Sequence, residues 1–334
     1  MTMQIIFPRF RIILLAALCV GGTPRLLADD IDMEGRVRVQ VESNALKKGN
    51  MRYEGKIDIE SKRREGTKGV LTLKARSKDS TNLFLEEAYV DHRFAPGKLQ
   101  LGQIKKQFGL EYELSEKKRF TIERSPIYQK LQPFAYVGFE PAVRYEHLPS
   151  EPGELSYATT FGYSGSQEPY AIFYLHPNTN DTQYAAWTLL QGDRLNNATQ
   201  LVGAFMFSVW NHEKPQSFEM ESIVGLDPFE TAVERDISGR KVVFSGLKIS
   251  YGPWFATGGD TLNTQAVAQV SHIMHDMKTP EYATSQLLLG INRHINEHFL
   301  VAADIELIAK NSRQVISERN YDDSNIKVQV EYYL

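Results

Sequence analysis

The last ten residues of the chain read NIKVQVEYYL (325–334) and alternate strictly between apolar and polar side chains. Successive side chains of an extended strand point to opposite faces. One face of this strand therefore carries the following residues: Ile326, Val328, Val330, Tyr332 and Leu334. The fold depends on what this face touches, because a soluble β-sandwich would bury it against a second sheet and a membrane barrel would turn it toward lipid.

The same period-two pattern occurs along most of the chain. It is clear in the stretches 36–42, 51–60, 71–76, 139–146, 154–163 and 299–307. Alternation between turns rich in Gly, Asn and Lys is typical of strands, and about 14 to 16 such runs can be marked. Many approach the roughly 9–11 residues that a tilted strand needs to cross a bilayer, and no later segment offers the roughly 20 apolar residues of a spanning helix. The pattern predicts an all-β fold, a transmembrane antiparallel β-barrel of about 16 strands, within a range of about 14–18.

The N-terminus has the build of a cleavable secretory signal. Two arginines precede the apolar run IILLAALCVGG, and a short segment then ends at Ala28 before two aspartates. We expect residues 1–28 to be a signal peptide and residues 29–334 to form the barrel. The signal holds the single cysteine, Cys19, so the barrel must be stable without disulfides. Its removal takes three arginines from a chain of net charge −3, which leaves −6 and argues against a nucleic-acid partner.

The polar faces of the first strands carry strong charge. Arg36, Arg38, Lys74 and Arg76 alternate with apolar residues, and such a face is too charged for the interior of a sandwich. We therefore predict that these four side chains face a water-filled lumen. They would be ordinary on the exterior of a sandwich, so a secreted or surface-bound β-sandwich that binds carbohydrate or protein stays open as the alternative.

Three stretches are apolar on both faces, namely 170–177, 185–192 and 200–210. In a barrel such strands could lie at a subunit contact or beneath an inserted loop, and in a sandwich they would be central strands. They do not separate the two folds.

Aromatic residues near the ends of the predicted strands favour a barrel. They are Phe84, Phe94, Tyr157, Tyr163, Tyr170, Tyr174, Tyr251, Trp254 and Tyr332. Membrane barrels carry girdles of aromatic residues at both interfaces, so we expect these rings on the outer surface. Aromatic residues also favour strands in general, which leaves the simpler explanation open.

The segment LGQIKKQFGLE (101–111), followed by FTIERSP (120–126), resembles a segment of the phosphate-selective porin O/P family. The matching positions are Gly102, Gln103, Lys105, Phe108, Gly109, Glu111, Glu123 and Arg124. The resemblance implies a homotrimeric barrel of about 16 strands in the bacterial outer membrane, with inward-folded loops that narrow the channel. The terminal strand also resembles the signal that the barrel-assembly machinery reads, apart from Leu334, where an aromatic residue is usual.

The same region is basic within an acidic protein. We predict an inward-folding loop over residues 105–138. The predicted pore constriction consists of Lys105, Lys106, Lys117, Lys118, Arg119 and Arg124. Rings of Lys and Arg select anions in pores, so this loop would attract anions where the channel is narrowest. A solvated loop with scattered charges is the alternative.

No arrangement of residues points to enzyme chemistry. The sequence has no Gly-x-Ser-x-Gly motif, and the three-residue spacing of His272 and His275 places them on opposite faces of a strand. We therefore expect no enzyme activity, cofactor or metal, with a barrel hydrolase that uses a Ser–His pair as a further alternative. The sequence predicts an outer-membrane porin in contact with lipid, a passive diffusion channel for small hydrophilic solutes with a preference for anions or phosphate.

Overall fold

In the computed structural model, sixteen antiparallel strands form one closed barrel, in which each strand pairs with the next along the chain and β1 closes onto β16. The structure describes residues 31–44, 50–61, 65–77, 81–114, 120–132, 134–149, 154–164, 168–177, 182–195, 198–227, 242–259, 261–278, 282–310 and 324–333. Within these residues the strands are β1 (Ile31–Asn44), β2 (Asn50–Ser61), β3 (Thr67–Ser77), β4 (Thr81–Phe94), β5 (Gly97–Lys105), β6 (Phe139–His147), β7 (Leu155–Tyr163), β8 (Pro169–Pro177), β9 (Gln183–Leu195), β10 (Ala198–Asn211), β11 (Gln216–Asp227), β12 (Val242–Ala256), β13 (Leu262–Met274), β14 (Ala283–His294), β15 (Phe299–Lys310) and β16 (Asn325–Tyr333). The described helices α1 (Leu110–Glu113) and α2 (Pro126–Leu131) are short, and no described helix has the length and apolar character to cross a membrane.

The terminal strand shows which face of the sheet points inward. In β16 the side chains of Lys327, Gln329 and Glu331 are buried, whereas Ile326 and Val328 are exposed on the outside. An apolar exterior around a polar interior is the reverse of a soluble protein and matches a barrel whose outer surface contacts lipid. The barrel prediction is confirmed. The sandwich alternative is wrong, because all sixteen described strands belong to one sheet that closes on itself.

Closure also determines where the connections lie. Consecutive strands run in opposite directions, so the connections alternate between the two ends of the barrel. We call the end where β1 starts and β16 finishes the terminus end, and the opposite end the distal end. The three longest connections, 106–138, 228–241 and 311–324, are all at the distal end. Of these three, residues 106–138 are described over most of their length, and they turn into the barrel.

Residues 106–138, the insert, form a hydrophobic core inside the barrel. The core joins the insert to the inner wall of β5–β13, and its fully buried members include Phe108, Leu110, Ile127, Trp187 and Met206. Burying one such side chain contributes about 1.5–3 kcal/mol. Packing therefore holds the apolar face of the insert against one half of the wall.

This core explains the three stretches that are apolar on both faces. Tyr170 on β8, Trp187 on β9 and Met206 on β10 point inward and are buried against the insert, whereas Phe173 and Phe205 are exposed on the outer surface. The stretches lie beneath an inserted loop, which is one of the two placements expected for them in a barrel. Both faces are apolar because one face contacts the insert and the other contacts lipid.

The aromatic girdle is partly wrong as predicted. Exposed rings on the outer surface include Phe94, Tyr157, Tyr163, Tyr251 and Tyr332. Tyr170 and Tyr174 are instead buried in the core beneath the insert, because their positions in β8 face the lumen. Trp254 lines a cavity in the lumen, and Phe84 lies 5.8 Å from the guanidinium carbon of Arg76.

Candidate functional site

Gln103 and Gly109 of the motif lie where the chain leaves β5 and turns into the barrel. Gln103 donates hydrogen bonds to the carbonyl oxygens of Leu85 (2.9 Å) and Glu86 (3.1 Å), beside an irregularity in the β3–β4 register. Gly109 has φ of 85°, and a Cβ there would overlap the Tyr128 hydroxyl. Glycine adopts this left-handed conformation without steric cost, so the chain can turn inward at this point.

The insert is fixed to one wall through a buried charge cluster, here called the β11–β12 anchor. The ammonium of Lys248 lies 2.9 Å from Glu219 and 2.6 Å from Glu221 on the wall, and 3.0 Å from Glu111 on α1. Glu221 also accepts hydrogen bonds from the Leu110 N–H (2.7 Å) and the Tyr128 hydroxyl (2.6 Å). Burial, together with Glu221 and Glu111, raises the pKa of Tyr128 well above its ordinary value, so Tyr128 remains a donor.

A second set of contacts, the β15–β16 anchor, ties the insert to the opposite wall. The Ile122 N–H donates to Asp304 Oδ2 at 2.7 Å, and Lys327 lies 2.9 Å from Glu123 and 2.7 Å from Glu306. Burial acts to raise the pKa of Glu123, but the Lys327 charge and the hydrogen bonds from Lys327 and Gln40 hold that pKa below its ordinary value. Glu123 is therefore an ionised acceptor within the lumen.

Together the two anchors span the lumen and leave a passage along β2 and β3. Inward-facing side chains on these strands remain open to water: Arg76 is 54% exposed, Glu60 43%, Arg52 37% and Asp58 35%. The apolar half of the wall is covered by the insert, so the open half is the charged half. These exposed, charged side chains therefore line a passage that ions can follow.

Two of the predicted constriction residues come together at the edge of the insert. The Lys105 ammonium lies 5.7 Å and the Arg124 guanidinium carbon 4.0 Å from the centre of the Tyr112 ring. Lys105 also donates to the Leu114 carbonyl oxygen at 3.3 Å. Cations placed over an aromatic face are stabilised by its quadrupole. The predicted residues Lys117, Lys118 and Arg119 lie outside the described residues.

The prediction that Lys106 lines the pore constriction is wrong. It is fully buried, donates to the Ala135 carbonyl oxygen at 2.7 Å and lies 3.8 Å from the centre of the Tyr170 ring. Burial lowers the pKa of Lys106 to about 8. Its neighbour Lys105 is the last residue of a strand, and the inward turn places Lys106 beneath the insert. Lys106 thus links the two ends of the insert and does not line a water-filled passage.

The four predicted lumen residues all point inward and meet at one carboxylate. Arg36, Arg38, Lys74 and Arg76 lie 3.0, 3.5, 3.1 and 2.8 Å from Glu54, in that order. We call these five residues the basic cluster. Glu54 was not among the predicted site residues. Its place on the polar face of β2 was evident from the alternation, but the register that brings β1, β2 and β3 together was not.

A cavity of about 390 Å³ lies on the terminus side of the insert. The insert contributes Phe120, Thr121 and Ile122 to its lining, and the wall contributes Trp254 and Arg38 among others. The indole of Trp254 donates to the Ser217 hydroxyl at 3.2 Å. Arg38 of the basic cluster lines this cavity, so the cavity borders one side of the cluster.

A barrel hydrolase would need a catalytic Ser–His pair, and among the described residues His272 and Ser285 form a hydrogen bond. His272 Nδ1 lies 2.9 Å from Ser285 Oγ on the outer surface, where the register places Leu247 beside His272 and Ala309 beside Ser285. A nucleophilic serine needs a histidine that a third polar group orients. Within the described residues no carboxylate forms that contact with His272, so the pair lacks the arrangement of a catalytic triad.

Comparison with solved structures identifies the architecture. OmpT of Vibrio cholerae in its trimer form gives a TM-score of 0.65 at 11% identity, over 91% of this chain and 99% of that chain. OmpF of Salmonella typhi, in complex with daunomycin, gives 0.66 at 10% identity over 91% and 97%. The anion-selective porin from Comamonas acidovorans gives 0.60 at 9% identity over 91% and 99%. The fold is that of an outer-membrane porin barrel.

This likeness concerns the fold, and at such identities it does not extend to individual residues. No family model and no curated protein sequence matches the chain. Membership of the phosphate-selective porin O/P family therefore stays a prediction. The barrel architecture agrees with a location in the bacterial outer membrane, where closed β-barrels satisfy every backbone hydrogen bond within the sheet.

Proposed function

We propose that this protein is a passive porin through which small hydrophilic solutes diffuse across the outer membrane, with a preference for anions. The observation that carries the proposal is the water-exposed, charged wall of β2 and β3, which lies outside the hydrophobic core of the insert and meets the insert at the 3.1 Å contact between Arg52 and Glu123. A hydrated lumen with charged walls lowers the cost of moving an ion through a low-dielectric slab. The long connections of bacterial outer-membrane barrels lie on the extracellular side. The distal end therefore faces the cell exterior, and the terminus end faces the periplasm.

The anion preference is supported by the basic cluster and by Lys105 and Arg124. Four basic side chains share Glu54, and two more cations flank Tyr112 on the insert. Glu60 and Asp58 also face this passage, and the proposed preference rests on the cations that are grouped around Glu54 and Tyr112. Phosphate is one anion that such a lumen would admit, and we propose a preference for phosphate among anions as a separate, more specific property.

Assembly as a homotrimer belongs to the same proposal. The Vibrio cholerae protein of similar fold is described as a trimer form, and a barrel with an apolar exterior can associate in the membrane plane. Chemical cross-linking of detergent-extracted protein should give a ladder that ends at three chains. A ladder that ends at one chain would remove the trimer from the proposal and leave the channel.

Planar-bilayer recording tests the function. Purified protein should insert in uniform conductance steps, and a salt gradient should give a reversal potential of the sign expected for anions. Arg76→Glu should move that potential toward cations. Absence of steps would contradict the channel, whereas a cation-selective reversal potential would contradict the anion preference alone.

A further inference from the structure

The basic cluster has the geometry of a carboxylate-binding site. Glu54 Oε1 lies within 3.5 Å of nitrogen atoms of Arg36, Arg38 and Lys74, and Oε2 lies 2.8 Å from Arg76 Nε. One carboxylate is thus surrounded by four cations from two neighbouring strands. Charge-assisted contacts of this kind are the strong hydrogen bonds of proteins, and guanidinium groups match the planar shape of a carboxylate.

Two further carboxylates border the cluster. Lys74 contacts Glu86 at 3.3 Å and Arg38 pairs with Glu331. Arg36, Arg38 and Lys74 are mostly buried, and Coulomb forces are weakly screened in such a setting. A carboxylate that took the place of Glu54 would therefore be attracted by the same four cations.

Solutes in the lumen can reach the cluster. Arg76 is about half exposed toward the passage along β2 and β3, and Arg38 lines the 390 Å³ cavity on the terminus side. Glu54 itself sits between these two residues, because the register pairs it with Arg38 on β1 and with Arg76 on β3. The cluster thus borders the water-filled space on two sides.

We propose that the basic cluster is a binding site for the carboxylate group of a permeating solute, and that Glu54 is its built-in occupant. A solute carboxylate would enter by replacing the Glu54 carboxylate among the same four cations, with no covalent step. The Glu54 group is tethered, so it is present at high effective concentration and returns when the solute leaves. Binding is then weak enough for passage, as conduction requires.

The transport consequence rests on the proposed porin function, but the site itself does not. Its first test is chemical rescue of Glu54→Ala, which removes the carboxylate and leaves room for a small anion. The variant should unfold at a lower temperature than the wild type in detergent. Acetate or succinate should restore several degrees of that loss, whereas chloride at equal ionic strength should not.

Glu60→Ala is the matched control. Glu60 is an inward-facing carboxylate on the same strand, it pairs with Lys68, and it is more exposed than Glu54. Acetate should not raise the unfolding temperature of this variant. Equal rescue by chloride, or equal rescue of both variants, would overturn the site. If Glu54→Ala fails to fold without additive, refolding yield with and without acetate provides the same comparison.

Channel recording gives the second test. Succinate should reduce chloride conductance through Glu54→Ala at a concentration about tenfold lower than for the wild type, because the tethered competitor is absent. Inorganic phosphate serves as the comparison probe, and a larger effect of phosphate than of succinate would overturn the assignment to carboxylates. Rescue by acetate in a protein that forms no channels would refute the porin function and leave the site intact.

Discussion

The Lys327 ammonium of β16 lies 2.9 Å from the Glu123 carboxylate of the insert, across 204 positions of sequence. This contact joins the segment that narrows the lumen to the strand that closes the barrel. The same lysine lies 2.7 Å from Glu306 on β15. The placement of the insert is thus coupled to correct pairing of the last strands.

Loss of this contact should loosen the insert. Glu123→Gln removes the charge that Lys327 and Arg52 share. We expect the variant to lose about 1.5–3 kcal/mol of stabilisation at this anchor, the contribution of a hydrogen bond to a charged group. Single-channel records should show more open-state noise and a larger mean conductance. Glu60→Gln, which carries the same charge change away from the insert, should leave the noise unchanged.

The β15–β16 anchor should depend on pH. The pKa of Glu123 in the folded protein lies below its ordinary value of 4.5. Its stabilising contribution is therefore fully present above pH 4.5 and is lost as the pH falls through the lower folded pKa. Open-state noise should rise over that acidic range in the wild type. Glu123→Gln should lack this step, and an identical step in the variant would assign the effect to another group.

The β11–β12 anchor should contribute more to the stability of the folded barrel than the β15–β16 anchor does. Lys248→Met leaves the buried carboxylates of Glu111, Glu219 and Glu221 without their shared cation, and breaking a buried ion pair costs about 3–5 kcal/mol. The heat-modifiable band on a gel should convert to the unfolded position at a lower temperature. Lys68→Met, at a more exposed pair, should cost less than about 1 kcal/mol.

Gly109 should tolerate no side chain. Gly109→Ala places a methyl group against the Tyr128 hydroxyl and the Met206 sulfur at a positive φ. We expect a reduced yield of folded barrel or a displaced insert with larger conductance. Gly55→Ala is the control, because nothing lies within 4 Å of a Cβ at that position. Equal folding of both variants would contradict the close packing at Gly109.

The fold followed from local pattern because barrel strands expose alternate residues to lipid and to the lumen. The terminal strand 325–333 has this property, and its apolar and polar faces lie where the alternation placed them. The stretches beneath the insert could not be assigned in this way. Their second apolar face contacts residues that are distant in sequence, as at Met206, whose sulfur lies 3.4 Å from the Tyr128 hydroxyl.

The candidate site was only partly visible in the sequence for the same reason. The inward direction of Arg36 and Arg76 follows from alternation, but their common contact with Glu54 depends on the pairing register of three strands. Net charge also indicated the basic segment without showing which cations are buried. Lys106 is covered and Lys105 is not fully covered, although the two are adjacent.

The charged face of the sheet borders water and the apolar face borders lipid, and the accessibility of engineered cysteines can be measured on each face. Residues 29–334 contain no cysteine, so Arg76→Cys and Leu287→Cys each introduce a single thiol into the barrel. A charged, membrane-impermeant thiol reagent added to a bilayer should change the single-channel conductance of Arg76→Cys and leave Leu287→Cys unaffected. We expect reaction at position 76 and none at position 287; reaction at position 287 without reaction at position 76 would mean that the two faces are reversed.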